Sequence, residues 1–153
     1  LRRAAEAGAL TVGVACVRGS ELARVAAHAV EVEVGPEVIA GSTRMKAGTA
    51  QKLVLNTIST VAMVRLGKTF GNLMVDVQAS NEKLRARARR AVALATGSSE
   101  DQVDEALEAA GGEVKVAIVA LAAGVDAATA RARLTEAGGA VRQALQEPAD
   151  VLG

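Results

Sequence analysis

Apolar and polar positions along the first third of the chain follow the pattern of one β-α-β unit. Residues 1–8 look like a helix that ends at Gly8, and residues 9–17 (ALTVGVACV) are typical of a strand buried on both faces. Ser20 is placed to cap a helix over residues 21–28, and residues 29–34 (AVEVEV) alternate like a second strand. The connection is long enough for a right-handed crossover between parallel strands, which would need further strands beside them.

Residues 46–66 are predicted to form a long and largely buried helix, because most of its circumference is apolar. Polar side chains recur along it at three- and four-residue spacing and so share one face: Thr49, Lys52, Asn56 and Thr60. Such a stripe either lines a binding site or is satisfied locally, as when a hydroxyl bonds to the preceding turn. Both interpretations stay open here.

A strand and a further helix are predicted next. Residues 71–77 alternate like a strand, and the following helix begins at Ser80 or Asn81 and ends at Gly97. Arginines surround this helix rather than forming a stripe, which favours a solvated surface over an anion-binding patch. They are Arg85, Arg87, Arg89 and Arg90.

The last third of the chain is predicted to be a small bundle of three short helices. Ser99 and Gln102 form a capping box, Gly124 ends the second helix, and Asp126 caps the third, which a Gly138-Gly139 pair interrupts or closes. We therefore predict one domain over residues 1–97, a second over 98–147 and a tail over 148–153.

Composition narrows the classes of protein to which the chain can belong. Half of the residues are hydrophobic, enough for a real core, but Phe70 is the sole aromatic residue. With little to stack on bases and a net charge of +1, the chain is not expected to bind nucleic acid or an anionic membrane. Its single cysteine, Cys16, cannot form an internal disulfide, which favours a reducing cytoplasm. No apolar run is long enough to span a bilayer.

The segment before the long helix carries the strongest hint of function. Glycines, hydroxyls and cations are concentrated there: Gly41, Ser42, Thr43, Arg44, Lys46, Gly48 and Thr49. A helix N-terminus offers unpaired N–H groups and a positive dipole end, so this composition suits a phosphate. It is not a nucleotide P-loop, which needs Gly-Lys-Ser/Thr together. On composition alone, a structural loop ahead of a capped helix explains it equally well.

Other chemistry-bearing residues are poorer candidates. His28 is expected to be a partly buried structural residue, and Cys16 to lie inside a buried strand. No His, Cys, Asp or Glu cluster has metal-ligand spacing. Glu31 and Glu33 are expected to face solvent, and Asp76 could anchor a helix. Among the carboxylates, Glu37 is the closest in sequence to the anion-binding segment, but none forms an acid/base pair.

The run GPEVIAGSTRMKAGTAQKLVLNTISTVAMVRLGKTFGNLMVDVQASNEKL closely resembles the N-acetylmuramic acid 6-phosphate etherase family. The vertebrate glucokinase regulatory protein is a more distant relative that shares the G-S-[ST]-R-M-K core. The resemblance runs from TVGVAC into the C-terminal helices and covers most of the chain. It implies the C-terminal part of a flavodoxin-like α/β sugar isomerase (SIS) domain over residues 1–97. The segment DEALEAAGGEVKVAIVALAAG then resembles a ubiquitin-associated (UBA)-like helical unit within residues 98–147.

The resemblance also implies an activity. The family cleaves the D-lactyl ether of its substrate to give N-acetylglucosamine 6-phosphate and D-lactate, without a metal or organic cofactor, as a homodimer. Its two acid/base glutamates lie upstream of this sequence, so no catalytic residue is expected within it. Sugar-phosphate contact is carried over onto Gly41, Ser42, Thr43 and Arg44, with Lys46 as a nearby charge.

Because the sequence lacks an initiator Met and opens in a helical pattern, we expect a fragment that needs a missing N-terminal segment or another chain to complete its sheet. The expected activity is therefore that of the whole protein rather than of this chain alone. A non-catalytic sugar-phosphate sensor of the regulatory-protein type is the alternative, and a phosphosugar isomerase comes third.

Overall fold

A computed structural model describes residues 1–77 and 81–146 of the chain, a mixed α/β arrangement as predicted. It divides into two compact units, Leu1–Val61 and Ala62–Gly153. In order, the elements are α1 (Arg2–Glu6), β1 (Val12–Ala15), α2 (Glu21–Val25), β2 (His28–Glu31), α3 (Lys46–Arg65), β3 (Thr69–Phe70), β4 (Leu73–Met74), α4 (Glu82–Thr96), α5 (Glu100–Ala109), α6 (Val114–Ala123), α7 (Ala127–Glu136) and α8 (Val141–Ala144).

The first unit contains the predicted β-α-β unit, with β1 and β2 paired in parallel. Ser20 caps α2 by accepting a hydrogen bond from the Ala23 amide, as its position predicted. The helix is shorter than expected because the Ala27 amide donates to the side chain of buried Thr11 instead of continuing the helix. His28 consequently begins β2 and is exposed, so its prediction as a partly buried helical residue was wrong.

Two predictions of burial in this unit were wrong. Val12 is 43% exposed, so β1 is not buried on both faces. The helix α3 has the predicted bounds to within one residue, yet Ala47 is its one buried side chain. Apolar side chains are buried only where a partner of comparable area covers them, and the described part of the first unit offers α3 only two five-residue helices and a pair of four-residue strands. Large side chains therefore stay exposed on α3, among them Leu53, Leu55, Ile58 and Val61.

The second unit opens with a short hairpin that the sequence did not reveal as such. The residue pairs Thr69–Met74 and Phe70–Leu73 are antiparallel, and Gly71 takes a left-handed conformation (φ 54°) in the two-residue turn between the strands. The sequence predicted a single extended run over residues 71–77 and missed β3. Two residues per strand are too few for an alternating pattern to register.

The predicted helix ends of the second unit are confirmed. Asn81 caps α4 through the Leu84 amide, and Gly97 ends that helix in the left-handed conformation. The Ser99–Gln102 capping box begins α5, Gly124 ends α6, and Asp126 caps α7 through the Thr129 amide. Gly138 and Gly139 close α7, and a further short helix, α8, follows them. Ser80, the other proposed start of α4, lies outside the described residues, as does the predicted tail.

An apolar core holds the described part of the second unit together, and α6 runs through it. Five of the ten residues of α6 are buried, and Ile118 is fully inaccessible. Ala88, Ala91 and Val92 of α4 belong to the same core as α5 to α8. The predicted domain boundary near Gly97 stays a prediction. The helix α4, which ends just before Gly97, shares a core with the helices that follow it.

Two close contacts fix loops in the second unit. Gly67 (φ 65°) follows α3, and a Cβ placed on it would lie 3.2 Å from both Cα and Cβ of Ala140. Asp76, just beyond β4, accepts Lys68 on one carboxylate oxygen at 2.7 Å and Lys115 on the other at 3.4 Å. Asp76 thus anchors the extended segment to the first turn of α6, as the sequence suggested.

Candidate functional site

The loop ahead of α3 is closed by the side chain of Glu37. Its two carboxylate oxygens accept hydrogen bonds from the backbone amides of Lys46 and Ala47, the first two residues of α3, each at 3.0 Å. The Lys46 ammonium group donates in turn to the carbonyl oxygen of Pro36 at 2.9 Å. Three hydrogen bonds therefore join the two ends of residues 38–45.

The next two amides of α3 are also paired. The Gly48 amide donates to the carbonyl oxygen of Thr43 at 2.9 Å, and the Thr49 amide donates to that of Met45 at 3.1 Å. The sequence predicted unpaired amides at this helix end, and that prediction was wrong. The carboxylate of Glu37 occupies the place at the N-terminus of α3 where a phosphate would bind.

This placement changes the ionisation of Glu37. The hydrogen bonds from the Lys46 and Ala47 amides hold the pKa of its carboxyl below the ordinary value of 4.5, with a smaller contribution from the Lys46 charge. Hydrogen bonds and a positive helix end both favour the charged form of a carboxyl group. Glu37 is thus an anion at neutral pH and is fully engaged in holding the helix end.

The predicted ligand residues lie together on this loop. Gly41 takes a left-handed conformation (φ 82°) with open space around it, and Ser42 is half-buried with its amide donating to the Ile39 carbonyl oxygen at 3.1 Å. Thr43 and Arg44 are exposed. Within the described residues, the side chains of Ser42, Thr43 and Arg44 make no hydrogen bond or ion pair, so their donors are available to a ligand.

Cys16 is placed differently from the prediction. It lies just after β1 rather than within a buried strand, is half-buried, and its thiol donates to the carbonyl oxygen of Ala47 at 3.7 Å. This contact joins the end of β1 to the first turn of α3. It gives the thiol a local structural partner.

Glu31 and Glu33 are exposed to solvent, as predicted. Glu33 pairs with Arg18 at 3.0 Å, and Glu31 accepts the Ser20 amide at 3.3 Å. The polar stripe of α3 is exposed along its length: Thr49, Lys52, Asn56 and Thr60.

Neither a metal site nor a membrane-spanning helix is found among the residues that the structure describes. Within these residues, no group of three or more His, Cys, Asp or Glu side chains is arranged to hold a metal ion. Across residues 1–77 and 81–146, no helix combines the length and apolar character needed to cross a membrane.

Sequence comparison identifies what the chain is similar to. No protein-family model matches it. Over 138 residues, 90% of the chain, it is 64% identical to the protein named N-acetylmuramic acid 6-phosphate etherase in Streptomyces coelicolor, and over 147 residues, 96% of the chain, it is 64% identical to the protein of that name in Rubrobacter xylanophilus. The corresponding protein of Mycolicibacterium smegmatis is 53% identical over 145 residues.

The chain spans about half the length of these curated relatives, 44% of the Streptomyces protein and 48% of the Rubrobacter protein. Identity of this order over nearly the whole chain confirms the resemblance that its motifs predicted. The chain is related in sequence, along at least nine-tenths of its length, to bacterial proteins named N-acetylmuramic acid 6-phosphate etherase.

Proposed function

We propose that this chain supplies part of an enzyme that cleaves the D-lactyl ether of N-acetylmuramic acid 6-phosphate, giving N-acetylglucosamine 6-phosphate and D-lactate. The observation that carries the proposal is 64% identity over 96% of the chain to a protein named for that reaction. The enzyme is a carbon–oxygen lyase of cell-wall amino-sugar recycling, and its expected location is cytoplasmic.

We also propose a finer assignment of the fold. The parallel β1–β2 pair and α3 would form the C-terminal part of a SIS domain, with residues 1–97 in that domain and 98–147 in a UBA-like helical unit. Exposed apolar side chains on α3 and the open edges of a two-stranded sheet support the expectation that more protein covers them, either further sequence or the second subunit of a homodimer.

The loop of residues 38–45 is the proposed contact for the phosphate of the sugar. Arg44 offers a planar guanidinium suited to phosphate oxygens, Ser42 and Thr43 offer hydroxyl donors, and Gly41 lets the backbone approach the ligand. Lys46 contributes positive charge nearby while its ammonium group holds Pro36. Because the first-turn amides of α3 are already paired, side chains rather than the helix end would bind the phosphate.

The acid/base groups of the reaction are proposed to come from elsewhere in the protein. A base must remove the proton next to the sugar aldehyde, lactate must leave, and water must add to the resulting alkene, steps suited to carboxyl groups with tuned pKa values. In this chain Glu37 is held by backbone amides and Glu33 by Arg18, while Glu31 accepts a backbone amide at the surface. The chain by itself is therefore expected to bind the sugar phosphate without cleaving it.

The test is to incubate the full-length protein that carries this sequence with N-acetylmuramic acid 6-phosphate and to assay D-lactate. Lactate release, absent with unphosphorylated N-acetylmuramic acid, is the expected result. Binding without lactate release would instead indicate a sugar-phosphate sensor. Interconversion of sugar isomers without lactate would indicate a phosphosugar isomerase.

A further inference from the structure

The carboxylate of Glu37 takes the position that a ligand anion occupies at other helix N-termini. Both of its oxygens bond to amides of the first turn of α3, at 3.0 Å each. A phosphate could not use these amides without displacing Glu37. The contact therefore excludes one mode of ligand binding and fixes the start of the loop to the start of the helix.

The loop is held at a second point by its own backbone. The Thr43 carbonyl oxygen accepts the Gly48 amide at 2.9 Å, and a Cβ placed on Gly48 would lie 3.4 Å from the same oxygen. The first point of attachment is Glu37 and the second is Thr43, and Gly41 and Ser42 lie between them. Arg44 follows at once, so its Cα position depends on both attachments.

From these contacts we infer that Glu37 is a positioning residue, which holds the loop of residues 38–45 so that Ser42, Thr43 and Arg44 are presented together to a phosphorylated sugar. The inference rests on the proposed sugar-phosphate binding of this loop. Glu37 does not touch the ligand in this arrangement. It lowers the cost of binding by ordering the loop in advance, since a loop that must be ordered on binding loses affinity.

A carboxylate is better suited to this position than its amide isostere. Two amide donors converge on Glu37, one on each oxygen. A glutamine offers one carbonyl oxygen, and its NH₂ group would face the other donor. Glu37→Gln should therefore retain part of the effect, whereas Glu37→Ala removes both acceptors and leaves two donors at the helix end without a side-chain partner.

The experiment measures calorimetric binding of N-acetylglucosamine 6-phosphate and of unphosphorylated N-acetylglucosamine to the full-length protein. Glu37→Ala should weaken binding of the phosphorylated sugar about tenfold, as expected when a binding side chain must be ordered on association, and Glu37→Gln should fall between it and the wild type. The matched control is Asp126→Asn, which removes a carboxylate cap from α7 outside this loop and should leave the affinity unchanged.

A double-mutant cycle with Arg44→Ala separates positioning from a general loss of structure. If Glu37 acts through Arg44, the effect of Glu37→Ala should shrink to about twofold or less in the Arg44→Ala background. Equal effects in both backgrounds, or wild-type affinity in Glu37→Ala, would overturn the inference while leaving the proposed function intact. Should Glu37→Ala fail to fold, as judged by circular dichroism, the Glu37→Gln variant is carried through the same cycle.

If the proposed function is wrong, the binding measurements differ from those that would overturn only the role of Glu37. If the wild-type protein binds the phosphorylated sugar no more tightly than the unphosphorylated one, this loop does not recognise phosphate. The proposed role of Glu37 is then wrong as well. The amide protons of Lys46 and Ala47 report on the geometry independently of ligand. Their chemical shifts should titrate together with the Glu37 carboxyl in the wild type and lose that step in Glu37→Gln.

Discussion

The ammonium nitrogen of Lys115 lies 3.4 Å from a carboxylate oxygen of Asp76. The same nitrogen donates to the carbonyl oxygen of Gly139 at 3.0 Å, and the Lys115 side chain is only 17% exposed. An ammonium group that has lost most of its water needs such partners, because an uncompensated charge is costly there. Asp76 also pairs with Lys68, so one carboxylate balances two cations.

Asp76→Asn should destabilise the second unit, because it leaves Lys68 and Lys115 close together without a negative charge between them. Since the Asp76 side chain is 38% exposed, we expect a loss of about 1 kcal/mol in the free energy of unfolding, near the upper end for partly solvated ion pairs. Urea denaturation followed by circular dichroism measures it. Glu105→Gln, an exposed change on α5, is the control. A variant as stable as the wild type would show that solvent already compensates both lysines.

The same carboxylate should contribute to acid sensitivity. The hydrogen bond from Lys68, helped by the Lys115 charge, holds the pKa of Asp76 below its ordinary value of 3.8. Its stabilising effect is then complete above that value and is lost as the pH falls through the lower pKa of the folded state. Thermal unfolding midpoints from about pH 6 to about pH 3 should fall less steeply for Asp76→Asn than for the wild type. Parallel curves would contradict the assignment.

Ile118 gives the sharpest test of the core. Its side chain is fully buried in α6, so Ile118→Ala should cost about 2–5 kcal/mol in the free energy of unfolding, and Ile118→Val about 0.5–1.5 kcal/mol. Leu94→Ala on α4 is a suitable control, since Leu94 is 61% exposed and its truncation should cost about 0.5 kcal/mol or less. Equal losses at the two positions would rule out the packing described for α6.

Arg44→Ala should weaken binding of N-acetylglucosamine 6-phosphate by about 1.5–3 kcal/mol, the range for a hydrogen bond to a charged group. Binding of unphosphorylated N-acetylglucosamine should not change. Arg87→Ala, at an exposed arginine of α4, serves as the control because it removes the same charge outside the loop. Calorimetry on the full-length protein gives both affinities. An unchanged affinity in Arg44→Ala would remove this arginine from the proposed site.

Features of the fold that depend on neighbouring residues could be predicted from the sequence. Ser20, Asn81, Ser99 and Asp126 each bond to an amide three residues further on, so the cap is encoded in a short segment. The bounds of α3 could also be predicted, because they depend on the residues of the helix itself.

Features that depend on distant partners could not be predicted in this way. The sequence predicted too much burial for α3. A side chain of the helix is buried only if another part of the protein covers it, and the residues of α3 do not reveal whether such a partner is present. Glu37 was recognised as the carboxylate nearest the loop, but its bond to the Lys46 amide spans nine residues of irregular backbone. The sequence shows that a glutamate can accept a hydrogen bond from an amide, but not from which amide. Only the structure shows that Glu37 accepts the amides at the start of α3.

The contact between Gly67 and Ala140 restricts which sequences this fold can tolerate. Any side chain at position 67 would meet Ala140 at 3.2 Å and would also have to adopt a left-handed backbone. A change of Ala140 to glycine would remove the contact with its Cβ, but the contact with its Cα and the backbone strain at position 67 would remain. Position 67 is therefore expected to stay glycine, constrained by a backbone 73 positions further along the chain.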